Sequence, residues 1–149
     1  MEFIDQLEQT KSETLKFFEL SEKDLQKKYG EDKWSIRFVL HHLADSETVF
    51  LYRLRRVISE PNQVIWFYDQ EAWAKKLDYS TLPLQLSKNL YTVSRDAILY
   101  YARQHYEGSD QINFVHSTSG LCTLKSEFDK VIWHNQKHVN SIEKALQQQ

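Results

Sequence analysis

The sequence has little of the residue types that form covalent cross-links, tight turns or helix breaks. Its 149 residues include one cysteine, two prolines and three glycines. A single cysteine excludes a disulfide within the chain and is typical of proteins kept in a reducing compartment. Few glycines and prolines leave few positions at which a helix must end or bend. The composition therefore favours long helices.

Basic charge and long apolar runs are scarce as well. The formal net charge is −2, whereas a nucleic-acid-binding surface needs an excess of Lys and Arg to displace phosphate counterions. No stretch approaches the roughly 20 apolar residues that span a bilayer. The first residues also lack the basic and apolar regions of a secretory signal. We therefore expect a cytoplasmic protein that binds neither nucleic acid nor membrane.

The chain does contain enough apolar material for a folded core. Hydrophobic residues make up 41% of it and aromatic residues 13%. Such a composition can bury enough apolar area to offset the entropy lost on ordering. A chain of this length usually forms one domain. We expect a single domain over residues 1–149.

Four segments carry apolar residues three or four positions apart, the spacing that places side chains on one face of a helix. The predicted helices are residues 2–20, residues 35–60, the segment from a Ser80–Thr81 cap to Gly108, and the segment from a Thr123 cap to Leu146. Apolar residues at this spacing in the third helix are Leu86, Leu90, Val93, Ala97 and Tyr100. Four such helices predict an all-α fold, a four-helix bundle.

The connections between these helices are predicted to differ in character. Residues 61–79 are rich in aromatic side chains, so we expect them to pack across one end of the bundle, with a helical turn at 70–76. Residues 109–122 are expected to form a polar loop. No alternation of apolar and polar residues typical of a strand competes with the helical patterns.

Two histidines, His134 and His138, lie one turn apart on the fourth predicted helix. They follow the same stripe as Val131 and Ile142, so we expect them to face the core. A buried imidazole needs a partner for each ring nitrogen, and a shared metal ion would satisfy one nitrogen on each ring. The residues alone leave open the alternative of two half-buried histidines without a metal.

A third candidate ligand, His42, lies on the second predicted helix and shares a face with Ser46 and Phe50. Its neighbour His41 is rotated by about 100° around the helix axis and is expected at the edge of that face. Two ligands from one helix and one from a facing helix make a workable site in a bundle. Three ligands would leave coordination positions open, as catalysis by a metal requires.

Several short motifs, taken together and in their order along the chain, resemble those of the DinB-like superfamily. The motifs are WS at 34–35, HLADSE at 42–47, FLYRL at 50–54, DQEAW at 69–73 and HNQKH at 134–138. The resemblance covers essentially the whole chain. One departure is Lys137, which stands where many members have a histidine, but that position is not a ligand position.

The resemblance implies a bundle with an up-down-down-up arrangement of helices and a homodimer. It implies that His42, His134 and His138 are the ligands of one divalent metal ion. The reaction it implies is metal-dependent hydrolysis or transfer to a thiol, with a small-molecule substrate that includes a low-molecular-weight thiol. Imidazole ligands alone do not distinguish zinc, nickel and iron(II).

Other polar residues are candidates for supporting roles. Asp45 is a candidate to accept a hydrogen bond from a ligand imidazole and so orient it, or else to be solvated or paired with Arg53. Glu47 is expected at the surface. His105 suits the negative end of the third helix dipole, and His116 is expected to be a surface histidine, with catalysis as the alternative.

Tryptophans and the lone cysteine are interpreted structurally. Trp66, Trp73 and Trp133 are expected to be core or interface anchors. Cys122 is expected to be a small, inert apolar residue.

These features leave three functional hypotheses open. The first is a metal-dependent hydrolase or thiol-dependent transferase. The second is a non-catalytic bundle that binds a metal or a small ligand in a stress response, with its site closed by a fourth ligand such as His105, His116 or Cys122. The third is a helical interaction module without metal.

Overall fold

The computed structural model describes residues 2–148, which are mainly helical. The six α-helices in this range are α1 (Phe3–Phe17), α2 (Glu22–Leu25), α3 (Ile36–Ser59), α4 (Gln70–Lys76), α5 (Leu84–His105) and α6 (Leu124–Leu146). Three short strands accompany them: β1 (Val64–Ile65), β2 (Asn113–His116) and β3 (Gly120–Thr123). The long helices α1, α3, α5 and α6 form a four-helix bundle, which confirms the predicted fold class.

Helix boundaries follow local capping where the sequence offers it. Ser35 accepts a hydrogen bond from the Phe38 N–H at the start of α3, and Thr123 forms a capping box with Ser126 at the start of α6. Both caps confirm the predicted helix starts. The predicted cap at Ser80–Thr81 is wrong, because these hydroxyls bond to the Asp78 side chain instead and α5 begins after Pro83.

Helices α3 and α5 run parallel to each other. His41, near the start of α3, contacts Ser87, near the start of α5, and Glu47 meets Arg95 about two turns further along both helices. Parallel neighbours need a connection that returns the length of the bundle. Residues 60–83 are this connection, and they contain β1 and the predicted helical turn, observed as α4 at the same residues.

The remaining helix directions follow from contacts at both ends. Helix α6 is antiparallel to α3, since His42 meets His138 while Arg53, further along α3, meets Glu127, which is earlier in α6. Helix α1 is antiparallel to α5, as two ion pairs at opposite ends of the helices show: Lys88 with Glu19 and Arg103 with Glu8. The arrangement is therefore up-down-down-up.

The prediction of a polar loop over residues 109–122 is wrong. Strands β2 and β3 form an antiparallel hairpin, and β1 pairs parallel with β2 to complete a three-stranded sheet. In β2 the buried positions are Phe114 and His116, while Val115 faces out. A buried histidine beside an exposed valine hides the alternation by which strands are recognised.

The core face of α5 is polar in part, and its apolar spacing marks the opposite face. Leu86, Val93 and Tyr100 are 48%, 68% and 60% exposed. The side that α5 buries carries Ser87, Tyr91, Ser94, Arg95, Ile98, Leu99 and Ala102. The spacing therefore predicted the helix correctly but indicated a face that points outward.

A buried polar network, the Arg95 network, joins the four long helices. The Arg95 guanidinium donates to both carboxylate oxygens of Glu47 on α3, at 2.9 and 2.6 Å, and to Thr10 Oγ1 on α1 at 2.8 Å. It also donates to Asn135 Oδ1 on α6 at 2.8 Å, and Asn135 donates to Thr14 Oγ1. Glu47 is 1% exposed, so its predicted surface position is wrong.

Two of the tryptophans expected as core or interface anchors lie outside the core. Trp66 is 73% exposed and Trp133 is 62% exposed, while Trp73 is half-buried. None of the helices in residues 2–148 combines the length and apolar character needed to cross a lipid bilayer.

Candidate metal centre

The structure brings His42, His134 and His138 together between α3 and α6. The Nε2 atom of His42 lies 3.0 Å from Nε2 of His134 and 3.1 Å from Nε2 of His138. Within residues 2–148 these three form a group whose ligand atoms all lie within 4.8 Å of one another. The cluster predicted from helix phase and from the family resemblance is thus assembled by the fold. We call it the histidine cluster.

The cluster fits a divalent cation on two grounds. A neutral imidazole carries one N–H, so hydrogen bonds alone leave unpaired lone pairs facing one another when three ring nitrogens converge. A cation satisfies all three lone pairs at once. Two nitrogens at about 2.1 Å from one ion are about 3.0 Å apart when they lie near a right angle, which is the spacing observed here.

Burial keeps the three rings neutral. It lowers the pKa of His42 to about 3, that of His134 to about 2 and that of His138 to about 4, with nearby positive charge as the lesser cause. All three imidazoles are therefore unprotonated near pH 7. Neutral imidazole is the form that binds a metal ion.

Aromatic and hydroxyl side chains surround the histidine cluster. The Trp34 ring lies 5.2 Å from that of His42, and the Phe50 ring lies 5.6 Å from that of His134. Ser46 Oγ is 3.4 Å from His42 Nε2 and hydrogen-bonds to the Tyr68 hydroxyl, which is 3.5 Å from His42 Nδ1. Sequence reasoning missed Tyr68, since it comes from the long connection and no local pattern marks it.

Asp45 does not orient a ligand histidine. Its carboxylate accepts a hydrogen bond from the Tyr79 hydroxyl, and burial raises its pKa. Arg53, the alternative partner, pairs instead with Glu127 and donates to the Trp66 carbonyl oxygen. Both predicted partners of Asp45 are therefore wrong, because its carboxylate is bound by Tyr79, which lies in the connection over residues 60–83.

Two other histidines lie deeper than predicted. His41 is fully buried, with Nδ1 2.6 Å from Ser87 Oγ on α5, so its predicted edge position is wrong. His116 is 7% exposed, and its Nδ1 accepts hydrogen bonds from the backbone N–H groups of Thr118 and Ser119. The expectation of a surface histidine is therefore also wrong.

Among the described residues, none of the three proposed fourth ligands belongs to the histidine cluster. His116 is engaged by its own hairpin. His105 stacks on Tyr101 near the end of α5, and Cys122 is half-buried in β3. Within residues 2–148, the chain thus supplies three candidate metal ligands to this site.

Comparison with known proteins agrees with this arrangement. A profile of the DinB superfamily matches residues 6–142, and the chain belongs to that superfamily. A protein of Oceanobacillus iheyensis named "putative metal-dependent hydrolase" is 33% identical over 128 residues, which are 85% of this chain and 73% of that protein. A protein of the same name from Halalkalibacterium halodurans is 27% identical over 127 residues, covering 85% of this chain and 74% of that protein.

A solved structure with a similar fold is that of YfiT from Bacillus subtilis. The structural similarity gives a TM-score of 0.86 at 25% sequence identity and covers 96% of this chain and 83% of that chain. That protein is described as "a probable metal-dependent hydrolase with an unusual four-helix bundle topology". The present chain, with its up-down-down-up helices, and that structure therefore share a four-helix bundle fold.

Proposed function

We propose that this protein is a metal-dependent hydrolase that acts on a small molecule at the histidine cluster. The observation that carries the proposal is the convergence of three neutral imidazole nitrogens without a fourth protein ligand among the described residues. A site of three protein ligands leaves room for water and substrate, whereas structural metal sites are usually closed by four. The names of the relatives support the same reaction class.

The three histidines would hold one divalent ion. When bound, such an ion supplies Lewis acidity, which polarises a carbonyl group and lowers the pKa of water. Neutral ligands leave the ion its full positive charge. We propose zinc, nickel or iron(II) as the metal, since all three accept imidazole ligands.

Neighbouring residues would position the ligands and shape access. The contact of the Tyr68 hydroxyl with His42 Nδ1 restricts the orientation of that ring, as partners of metal-binding histidines commonly do. The Ser46 hydroxyl lies beside the ligand nitrogen of His42, Nε2, and hydrogen-bonds to the Tyr68 hydroxyl. These groups can donate to or accept from a bound substrate.

The proposal is tested by metal content and hydrolysis measured on the same protein. Protein purified without chelator or affinity tag is analysed by elemental mass spectrometry and assayed against a panel of esters and amides, with and without a low-molecular-weight thiol. About one ion per chain, with metal-dependent hydrolysis, is expected. Thiol-dependent turnover alone would assign the protein to the transferases.

Two variants test whether the metal ion binds at the histidine cluster or elsewhere on the protein. His138→Ala is expected to lose the ion, and His105→Ala, a histidine outside the cluster, is expected to keep it. Absence of metal after incubation with zinc, nickel and iron(II) would contradict the proposal and favour a helical bundle with core histidines.

We also propose that the exposed apolar face of α5 pairs with a second copy of the chain. The two charged residues beside it, Asp96 and Arg103, are already paired with α1, through Lys11 and Glu8. The face is therefore apolar without free charge, as the centres of interfaces are. The molar mass is measured by size exclusion coupled to light scattering. Val93→Glu is expected to convert the dimer to a monomer. Trp133→Glu, which changes an exposed residue on α6, is expected to leave the dimer intact. A monomeric wild type would contradict this proposal.

A further inference from the structure

A pocket of about 410 Å³ opens beside the histidine cluster, between α3, β1 and α4. Four of its lining residues are aromatic: Tyr52, Trp66, Tyr68 and Trp73. We propose that this aromatic pocket binds a planar aromatic group of the substrate, one that carries no positive charge. The inference rests on the proposed function, because it specifies the part of the substrate that lies next to the hydrolysed bond.

The pocket and the histidine cluster share a wall. Tyr68 lines the pocket while its hydroxyl contacts Ser46 and His42, and its ring packs edge-on against Trp73 at 5.0 Å. Val49, on the α3 side of the pocket, lies seven residues after His42 and on the same helix face. Seven residues span about 10 Å of helix, so one small molecule can reach both the pocket and the cluster.

Two of the four aromatic rings are largely exposed, and the backbone at one of them is fixed by hydrogen bonds. Trp66 is 73% exposed and Tyr52 is 58% exposed, and clustered large apolar side chains in water commonly mark a binding site. Meanwhile the Trp66 carbonyl oxygen accepts a hydrogen bond from Arg53, and the next N–H, that of Phe67, donates to Ser117 Oγ at 2.9 Å. The backbone that carries the Trp66 ring is therefore held in place, which reduces the entropy lost on binding.

Charge decides between two ligands that aromatic walls can bind. Rings arranged around a pocket can attract a cation, but the one charged residue among the described residues that line this pocket is a cation, Arg53. Its carboxylate partner, Glu127, is shared with Lys130 at 3.4 Å each. The positive charge of Arg53 disfavours a cationic ligand, and a divalent ion bound at the histidine cluster would do the same. We therefore expect the aromatic pocket to bind a neutral or anionic aromatic group.

A larger pocket of about 570 Å³ lies between α1, α5 and α6. None of the described residues that line it belongs to the histidine cluster. The aromatic pocket is connected to the cluster through Tyr68, whose hydroxyl contacts His42. It also has a volume within the usual range for small-molecule sites, about 300–1,000 Å³.

The inference is tested with two fluorinated probes by ligand-observed ¹⁹F NMR. N-(4-fluorophenyl)acetamide is neutral and aromatic, and 4-fluorobenzylamine carries the same ring on a cation at pH 7. The neutral probe is expected to bind the metal-loaded protein more tightly than the cation. Trp66→Ala is expected to weaken this binding about tenfold, while Trp133→Ala, which removes an exposed tryptophan elsewhere, leaves it unchanged.

A third variant separates this inference from the proposed function. His138→Ala is expected to lose the metal and still bind the neutral probe, because its ring does not line the pocket. Probe binding in a wild type that takes up no metal would contradict the proposed hydrolase and support the pocket. Three results would overturn the pocket inference: no binding by metal-loaded wild type, equal binding by Trp66→Ala, or tighter binding of the cation.

Discussion

His134 and Asn135 are neighbours on α6, yet they belong to two polar clusters that are satisfied in different ways. Asn135 belongs to the Arg95 network, where Arg95 meets the Glu47 carboxylate and every contact pairs a donor with an acceptor. His134 belongs to the histidine cluster, where three ring nitrogens of one kind face one another. The first cluster contains both charges of its ion pair, and the second consists of neutral rings whose nitrogens face one another.

This difference separates a structural role from a functional one. Buried polar groups persist in proteins when their partners are present within the fold. The Arg95 network meets that condition and ties α1, α3, α5 and α6 together. We propose that the histidine cluster meets it when a cation binds. Three predictions test this contrast, ordered from the largest expected effect to the smallest.

The largest effect is expected from breaking the Arg95 network. Glu47→Ala leaves the buried Arg95 charge without its partner, and such a loss typically costs about 3–5 kcal/mol of stability. The free energy of unfolding is measured by urea titration. Glu8→Ala, which breaks the exposed pair with Arg103, is the matched control and is expected to cost less than about 1 kcal/mol. Equal losses in the two variants would contradict a structural role for the network.

An intermediate effect is expected from metal binding to the histidine cluster. Free metal at 100 times its dissociation constant should raise the free energy of unfolding by about 2.7 kcal/mol. This increase should disappear in His138→Ala. In metal-free protein the same substitution should change stability little, since it removes one of three facing acceptors. A large loss in the metal-free variant would instead indicate a cluster that is already satisfied.

A graded effect is expected from acid on the metal-free protein, about 1 kcal/mol for each histidine over the unit from pH 6.5 to 5.5. The pKa values of His42 and His138 in the folded state, about 3 and about 4, lie below the unfolded value of 6.5. The unfolded chain therefore binds more protons below pH 6.5, and stability falls as pH decreases from 6.5 towards about 4. Each histidine contributes a slope of up to about 1.4 kcal/mol per pH unit.

Urea midpoints at pH 7.5, 6.5 and 5.5 check this prediction. The values at pH 7.5 and 6.5 should be similar, and the drop should come between 6.5 and 5.5. A variant with all three cluster histidines changed to glutamine serves as the control and should show a smaller drop. Equal drops in the two proteins would contradict neutral, buried imidazoles.

Much of the helical fold could be predicted from the sequence, because helices are determined locally. Ser35 and Thr123 mark helix starts through bonds to residues three positions away. Spacing also placed His134 and His138 on the inner face of α6 and His42 on one face with Ser46 and Phe50, and the family resemblance implied the same three histidines. Phase along a helix is a local property, so it survives folding.

Predictions failed where a residue's partner lies far along the chain. Glu47 and Arg95 are 48 positions apart, and each alone resembles a surface residue. Asp45 meets Tyr79, and His42 meets Tyr68, only because the connection between two parallel helices passes over the start of α3. The apolar side of α5 faces outward for the same reason, since the Arg95 network makes its polar side the buried one.

The sequence by itself determined four long helices, the capped starts of α3 and α6, and the three histidines that face inward. These follow from hydrogen bonds and side-chain spacing within a few residues. Only the tertiary structure decided which polar residues are buried together, which aromatic rings line a pocket and which apolar face remains outside. The physical reason is that burial and charge pairing depend on distances between segments, and those distances are set by how the helices pack.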